Sequence, residues 1–430
     1  MKKTGNIFIF ASLMITFLLW LLAKDSFFEI VGQPIIAINQ LTALLGTVFF
    51  VWSMVLATRL DFLEMLFGGL DKVYKKHRRV SEIGAVLILL HPLALAINPS
   101  KINLKYFFPV HRNISINIAV YSFWIFTAAI ILTLVVRQIK LPYHFWKQTH
   151  KFLNLAMLLA LFHIVTVKSD TSFFVPLGVW MYMFTGFGVA GGIYMTFFYN
   201  KFGPKYKYKI VKIKRYKDIH DVYLRPMNHK LLHKVAQYAY ISFISEDISK
   251  EVHPYCITSL PGDELLRFSI KELGDYTQNL SRLRAGDKAA IYGPYGHLGE
   301  RFNENKNSVF IAGGIGIAPF LSMFKKASLI KNNNLVNLFY CTKYKKETAF
   351  EPELIKIANS NKNLNYYNQC SREPGGCHLS AKQVKNSIPN TGGTNIYLCG
   401  PVKMIKQFEK DLINEGFLKE NIILEDFEMI

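Results

Sequence analysis

Cysteine and acidic side chains are scarce in this sequence. Its 430 residues include five cysteines, Cys256, Cys341, Cys370, Cys377 and Cys399, all in the second half. None forms a CxxC or CxxCH pattern, which argues against a zinc ribbon or a covalently attached heme and predicts reduced thiols facing a cytosol. Asp and Glu number 30 against 51 Lys and Arg, for a net charge of +21. No stretch interleaves these cations with aromatics as a nucleic-acid module would, so nucleic acid is not expected as a partner. There is no internal repeat, no low-complexity tract and no EF-hand loop. Many cations instead flank long apolar runs, which points to membrane topology and anionic groups such as phospholipid heads and phosphates.

The length allows two or three domains. The apolar share is 51% but uneven: nearly all long apolar runs precede about Asn200. Six of them, about 6–23, 35–57, 80–97, 114–136, 148–167 and 176–199, come near the ~20 residues that cross a hydrocarbon core as helix. The first follows Lys2 and Lys3 and runs into Lys24 and Asp25 with no small-residue cleavage site, so it reads as a span. With the N-terminus inside, the inner segments hold Lys2, Lys3, Arg59, Lys72, Lys75, Lys76, Arg78, Arg79, Arg137, Lys140, Lys147, Lys151, Lys201, Lys205, Lys207 and Lys209. The outer ones hold Lys24, Lys101, Lys105, Arg112 and Lys168. That asymmetry predicts a multi-pass protein of the inner (plasma) membrane with both termini cytoplasmic.

Four histidines lie in the third and fifth spans, which run in the same direction. His77 and His91 are 14 residues apart, and His150 and His163 are 13 apart. At ~1.5 Å rise per residue, each pair is about 20 Å apart along its helix, one ring near the inner face and one nearer the outer. Neutral imidazoles from two facing helices are natural axial ligands, so this pattern predicts two b-type hemes. Fourteen residues return to nearly the same helix face, whereas thirteen leave side chains about 140° apart on an ideal helix. A bulge or curvature in the fifth span would bring its two rings onto one face. Arg59, Arg78, Arg79, Lys147 and Lys151 are near enough to the inner pair to meet heme propionates, and positive-inside topology explains them equally well.

After about Lys207 short alternating runs such as Tyr238–Phe243 and Phe268–Ile270 predict an antiparallel β-barrel. From Ser308, strands near Val309–Ala312, Val336–Cys341 and Asn395–Cys399 alternate with helices, which predicts an α/β layer with a parallel sheet. Gly313-Gly314-Ile315-Gly316-Ile317-Ala318-Pro319 joins the first of these strands to a helix and so reads as a dinucleotide pyrophosphate loop.

The ordered motifs resemble one family. His253-Pro254-Tyr255-Cys256-Ile257-Thr258-Ser259 is similar to the flavin-binding strand of the ferredoxin-reductase superfamily, in the variant of NADPH oxidases and ferric reductases. Lys271-Glu272-Leu273-Gly274-Asp275-Tyr276-Thr277 resembles the segment that holds the FAD pyrophosphate, with Gly274 as a turn before free N–H groups. Cys399-Gly400-Pro401 resembles the strand end beside the nicotinamide, and Ser371-Arg372-Glu373 the site of the adenosine 2′-phosphate. Ala57-Thr58-Arg59-Leu60 and Lys72-Val73-Tyr74 also look like compact bacterial NADPH oxidases. The resemblance spans nearly the whole chain. It implies a six-helix transmembrane heme-binding bundle (1–202), an antiparallel β-barrel FAD domain (203–304) and an α/β NADPH domain (305–430). It further implies electron transfer from NADPH through FAD and two b hemes to oxygen. A ferric chelate reductase with the same cofactors, and a heme-b anchor serving a partner protein, are the alternatives; no obligatory protein partner is implied. Cys399, Cys256 and Phe427, near the C-terminus, are the implied catalytic positions. In two places the chain departs from the family: Cys256 replaces the usual Ser or Thr, and Ala236 stands where a turn glycine is common.

Overall fold

The computed structural model describes residues 4–98, 101–136, 138–139, 141, 143–199, 205–302 and 305–425. Phe427 and the cations Lys2, Lys3, Arg137, Lys140 and Lys201 lie outside the described residues. The chain divides into two units, Met1–Gly203 and Pro204–Ile430.

The first unit is all-helical apart from the two-residue strands β1 (Ile97–Asn98) and β2 (Lys101–Ile102). Its helices are α1 (Gly5–Leu22), α2 (Phe27–Gly32), α3 (Pro34–Leu56), α4 (Asp61–Phe67), α5 (Leu70–Ala96), α6 (Ile114–Val135), α7 (Tyr143–His150), α8 (Phe152–Thr166), α9 (Asp170–Phe173) and α10 (Val175–Ile193). Six helical stretches among the described residues are long and apolar enough to cross a membrane: α1, α3, α5, α6, Phe145–Thr166 and Val175–Phe198. The third starts at Leu70, ten residues before the apolar run, because Leu70, Lys72, Lys75, Lys76, Arg78 and Arg79 are good helix formers that need no lipid. The fifth is two helices that meet at Lys151, whose N–H bonds to Gln148 O and whose O accepts from Asn154 N. These i–3 bonds make a local irregularity between His150 and His163. Glycines let the helices approach. A Cβ on Gly84 would lie 3.0 Å from Phe49 Cβ, and one on Gly46 3.1 Å from Ile88 Cγ1.

The second unit has two sheets. Strands β3 (Lys205–Tyr216), β4 (Ile219–Pro226), β5 (Tyr238–Ile244), β6 (His253–Cys256), β7 (Leu266–Lys271) and β8 (Lys288–Tyr295) form an antiparallel sheet in the order β6-β5-β8-β3-β4-β7. The expected barrel is not closed by a continuous ladder. Its edges meet at one bridge, Ile257–Phe268, because β6 has only four residues and Pro254 within it lacks a donor. Ile241, Phe243, Phe268 and Ile291 fill its interior.

Strands β9 (Asn307–Gly313), β10 (Val336–Thr342), β11 (Leu364–Cys370), β12 (Thr394–Cys399) and β13 (Ile422–Glu425) form a parallel sheet ordered β11-β10-β9-β12-β13. Phe310, Phe320 and Leu338 pack one face and Ile311, Leu398 and Leu412 the other, as both-sided burial of parallel strands demands. Helix α11 (Asp275–Asn279) packs on the antiparallel sheet through Tyr276, while α12 (Ala318–Leu329), α13 (Glu351–Asn359), α14 (Ala381–Asn386) and α15 (Val402–Asn414) accompany the parallel one.

Candidate functional site

In the membrane unit each histidine leans on the helix that precedes its own span. His77 Nδ1 lies 2.9 Å from Ser53 O and His91 Nδ1 3.1 Å from Asn39 O, both on α3. His163 Nδ1 lies 3.1 Å from Ser115 O and His150 Nδ1 3.4 Å from Thr133 Oγ1, both on α6. The four Nε2 atoms make no hydrogen bond to any described residue. His91 is close enough to His163 to interact electrostatically, and His150 to His77. For His77 and His163 an Nδ1 proton directed at the carbonyl would orient the ring and leave a basic Nε2 to offer a metal. At His91 the Asn39 amide Nδ2 also lies 2.9 Å from Nδ1, and at His150 the neighbour is a hydroxyl. Among the cations expected nearby, Arg78 pairs with Glu82 on the exposed surface, while Arg59 donates to Tyr74 Oη at 2.6 Å.

In the antiparallel sheet, His253 packs at a tilt against Tyr276 with ring centroids 4.2 Å apart, and its Nε2 is 2.9 Å from Glu251 Oε2. Tyr255 Oη is buried with no partner among the described residues, and burial pushes this phenol well above its ordinary pKa, so it stays a neutral donor. Cys256 is buried at the end of the same strand. Thr258 and Ser259 are already engaged: Thr258 Oγ1 donates to Arg267 O, and Ser259 Oγ accepts from Arg267 N. Lys271 pairs with Asp218 at 3.2 Å. Gly274 corrects an expectation. Its φ of −160° is extended backbone open to any residue, and a Cβ there would meet nothing within 4 Å, so it serves as open space rather than as a turn. The N–H groups of Leu273 and Gly274 both go to Thr277 Oγ1 and that of Tyr276 to Asp275 Oδ1, so the expected row of free donors is largely used in capping. Ala236 is also more than a loop residue. It has φ +57° and its N–H donates to Ser322 Oγ of α12 at 3.0 Å.

In the parallel sheet the strand order reverses between β9 and β12, which makes a crevice at their carboxyl ends. Gly313-Gly314-Ile315-Gly316 and Cys399-Gly400-Pro401 meet there. A Cβ on Gly316 would collide with the Cys399 carbonyl, and one on Gly313 would lie 2.7 Å from Met404 Sδ and 2.8 Å from Pro401 Cδ. Gly314 has φ +56°, and Pro319 sits in the first turn of α12. Cys399 is buried at the end of β12. Ser371 and Arg372 follow β11: Ser371 N donates to Thr342 O and Arg372 N to Lys343 O, leaving the Arg372 side chain exposed. Sequence reasoning missed Arg267, whose guanidinium joins Asp221 of β4 to Glu353 of α13. The only local signal was an arginine inside the otherwise apolar-alternating Leu266-Arg267-Phe268-Ser269-Ile270.

Three family descriptions match successive parts of the chain. Residues 42–161 match a ferric reductase like transmembrane component, 205–314 an FAD-binding domain and 310–410 an oxidoreductase NAD-binding domain. The first contains His77, His91 and His150 and stops two residues before His163. Flavohemoprotein B of Dictyostelium discoideum is 28% identical over 193 residues, which cover 41% of this chain and 45% of that protein. The flavohemoprotein of Candida norvegensis is 26% identical over 235 residues, covering 52% and 57%. Among solved structures, a ferredoxin NADP+ reductase from Neisseria gonorrhoeae with bound FAD and NADP is 19% identical with a TM-score of 0.46, covering 52% of this chain and 98% of that one. The chain spans about half the length of the curated relatives it matches. A ferric-reductase-like membrane component, an FAD-binding domain and an NAD-binding domain thus follow one another along this multi-pass chain.

Proposed function

We propose that this protein is a transmembrane NADPH oxidase of the inner (plasma) membrane, with both termini cytoplasmic. NADPH is its electron donor, oxygen on the outer face its acceptor, and superoxide or hydrogen peroxide its product. The observation that carries this reading is the doubled histidine arrangement, with each Nδ1 beside a group of the preceding long helix and no hydrogen bond at any of the four Nε2 atoms among the described residues. His77 with His150, and His91 with His163, would each hold one b-type heme. In the second unit 203–304 would be the FAD domain and 305–430 the NADPH domain. His253, Pro254, Tyr255, Cys256, Thr258, Ser259, Lys271, Gly274, Tyr276 and Thr277 would line the flavin. The cofactors supply the redox chemistry, a flavin taking two electrons as hydride and releasing them singly to a heme.

The chain's own residues bind and orient. The unpartnered Tyr255 hydroxyl supplies a buried neutral donor, the kind of atom that a bound flavin satisfies. Cys256 is a weaker donor than the usual hydroxyl. Gly313, Gly314, Gly316 and Gly400 let two loops and a pyrophosphate approach closely, with Pro319 starting the helix behind them and Pro401 closing the second loop. Cys399 would stand beside the nicotinamide, with Phe427 stacking on the flavin. Ser371 and the planar guanidinium of Arg372 would take the 2′-phosphate.

The exposed Lys105 and Arg112 on the loop between the third and fourth spans favour a second reading, an anionic ferric chelate as acceptor. Purified protein given NADPH separates the two. Cytochrome c reduction sensitive to superoxide dismutase is expected, with little ferrous chelate formed; the reverse result would make the protein a ferric reductase. Pyridine hemochrome should give about two hemes per chain, and one or none would end the two-heme reading.

A further inference from the structure

Arg267 is 9% exposed and grips both halves of the second unit. Its Nε is 2.8 Å from Asp221 Oδ1, and its two terminal nitrogens meet Glu353 Oε1 and Oε2 at 2.8 and 2.9 Å. Asp221 is fully buried and also accepts from Ser269 Oγ and Tyr223 Oη, both at 2.8 Å. The guanidinium lies over the rings of Tyr223 and Phe350, 5.4 and 5.3 Å from their centroids. Phe350 has φ +63°, a conformation costly for an aromatic residue, immediately before α13.

The Arg267 backbone is hydrogen-bonded to the strand proposed to carry the flavin: Thr258 N donates to Arg267 O, and Arg267 N donates to Ser259 Oγ. On the far side Glu351 of α13 accepts from Asn368 of β11 at 2.8 Å, and β11 leads into Ser371 and Arg372. A bidentate, stacked arginine is planar and fixed in direction, so this chain of bonds transmits position as well as charge.

We infer that the Arg267–Glu353 pair is a positioning strut that sets the nucleotide-binding sheet against the flavin strand, and so aligns nicotinamide with flavin. The inference rests on the function proposed above, in which two electrons and a proton leave NADPH together as hydride, giving NADP+ and reduced FAD. Buried ion pairs are weak sources of stability, which favours a geometric role.

Glu353→Gln and Glu353→Ala test it in the full-length, FAD-loaded protein, with Lys325→Ala as a control. Lys325 makes a more exposed ion pair with Asp263, also between the two halves, at 3.3 Å. Stopped-flow bleaching of the flavin by NADPH should slow roughly tenfold in Glu353→Ala, since small misalignments of reacting groups cost one to two orders of magnitude. NADP+ affinity by calorimetry should stay within about threefold. The isotope effect with NADPH deuterated at the transferred position should rise. Glu353→Gln, which keeps an acceptor oxygen, should recover part of the rate. Without any nucleotide, hydrogen exchange should quicken in both Ile257–Arg267 and α13 of Glu353→Ala, and in neither for Lys325→Ala. Unchanged bleaching and exchange in both Glu353 variants would overturn the strut, as would equal losses in the lysine control. If wild-type flavin is not bleached by NADPH, the proposed function fails, and the exchange coupling alone decides the strut.

Discussion

Two glycines of the second unit stand in contrasting environments. A methyl on Gly316 would run into the Cys399 carbonyl, whereas one on Gly274 would meet nothing. Gly316→Ala should therefore cost about 1–3 kcal/mol of stability through forced backbone movement. Gly274→Ala should melt within about 0.5 kcal/mol of wild type, as a surface change usually does. Calorimetry of the two purified variants checks this, and equal melting would mean that the two glycine loops are not in contact. The thiols differ as sharply. Burial pushes Cys341 up to about 12, so the neutral thiol persists until pH approaches that value. At pH 8 roughly one molecule in ten thousand carries the Cys341 thiolate. Iodoacetamide should therefore label the exposed Cys377 first, and Cys341 should stay unlabelled until the protein unfolds or the pH is strongly alkaline. Mass spectrometry of a labelling time course reads the order. Fast labelling of Cys341 at pH 8 would refute its raised pKa.

At the scale of elements, the closeness of α3 and α5 governs the first unit. Gly84 faces Phe49 and Gly46 faces Ile88, so either glycine replaced by a large side chain must push the helices apart. Gly84→Leu should destabilise the detergent-solubilised protein by about 1–3 kcal/mol. For a unit of this size that is a drop of about 2–4 °C in Tm per kcal/mol. An unchanged Tm would show that the helices are not so tightly joined. Much of this arrangement is legible in the sequence. The four histidines, their spacing and the mismatch of the second pair on a regular helix all follow from a helix rise of ~1.5 Å and about 100° per residue. The position of the break at Lys151 does not, because a single i–3 turn leaves no compositional mark. Nor do the carbonyls of Asn39, Ser53 and Ser115, since every residue has one and only packing decides which meets a ring. The strut is hidden for a related reason: Asp221, Arg267 and Glu353 come from three distant stretches, and no period links them.

For the whole molecule, the cation asymmetry around the spans predicts sidedness. NADPH is charged and does not cross a bilayer, so sealed inside-out vesicles should oxidise added NADPH, and right-side-out vesicles should do so only after permeabilisation. Activity with intact right-side-out vesicles would invert the topology. The order of the elements along the chain has a further consequence for synthesis. His77 and His91 rest on α3, and His150 and His163 on α6, in each case the long helix made just before the histidine's own span. Each Nδ1 thus finds its partner in a hairpin of neighbouring segments. A chain elongated just past Thr166 already contains all four rings and their Nδ1 partners. Metal-centre assembly in the bilayer can therefore run ahead of the soluble half. Errors in folding the two sheets should then yield a membrane-inserted, heme-loaded protein that lacks only its source of electrons.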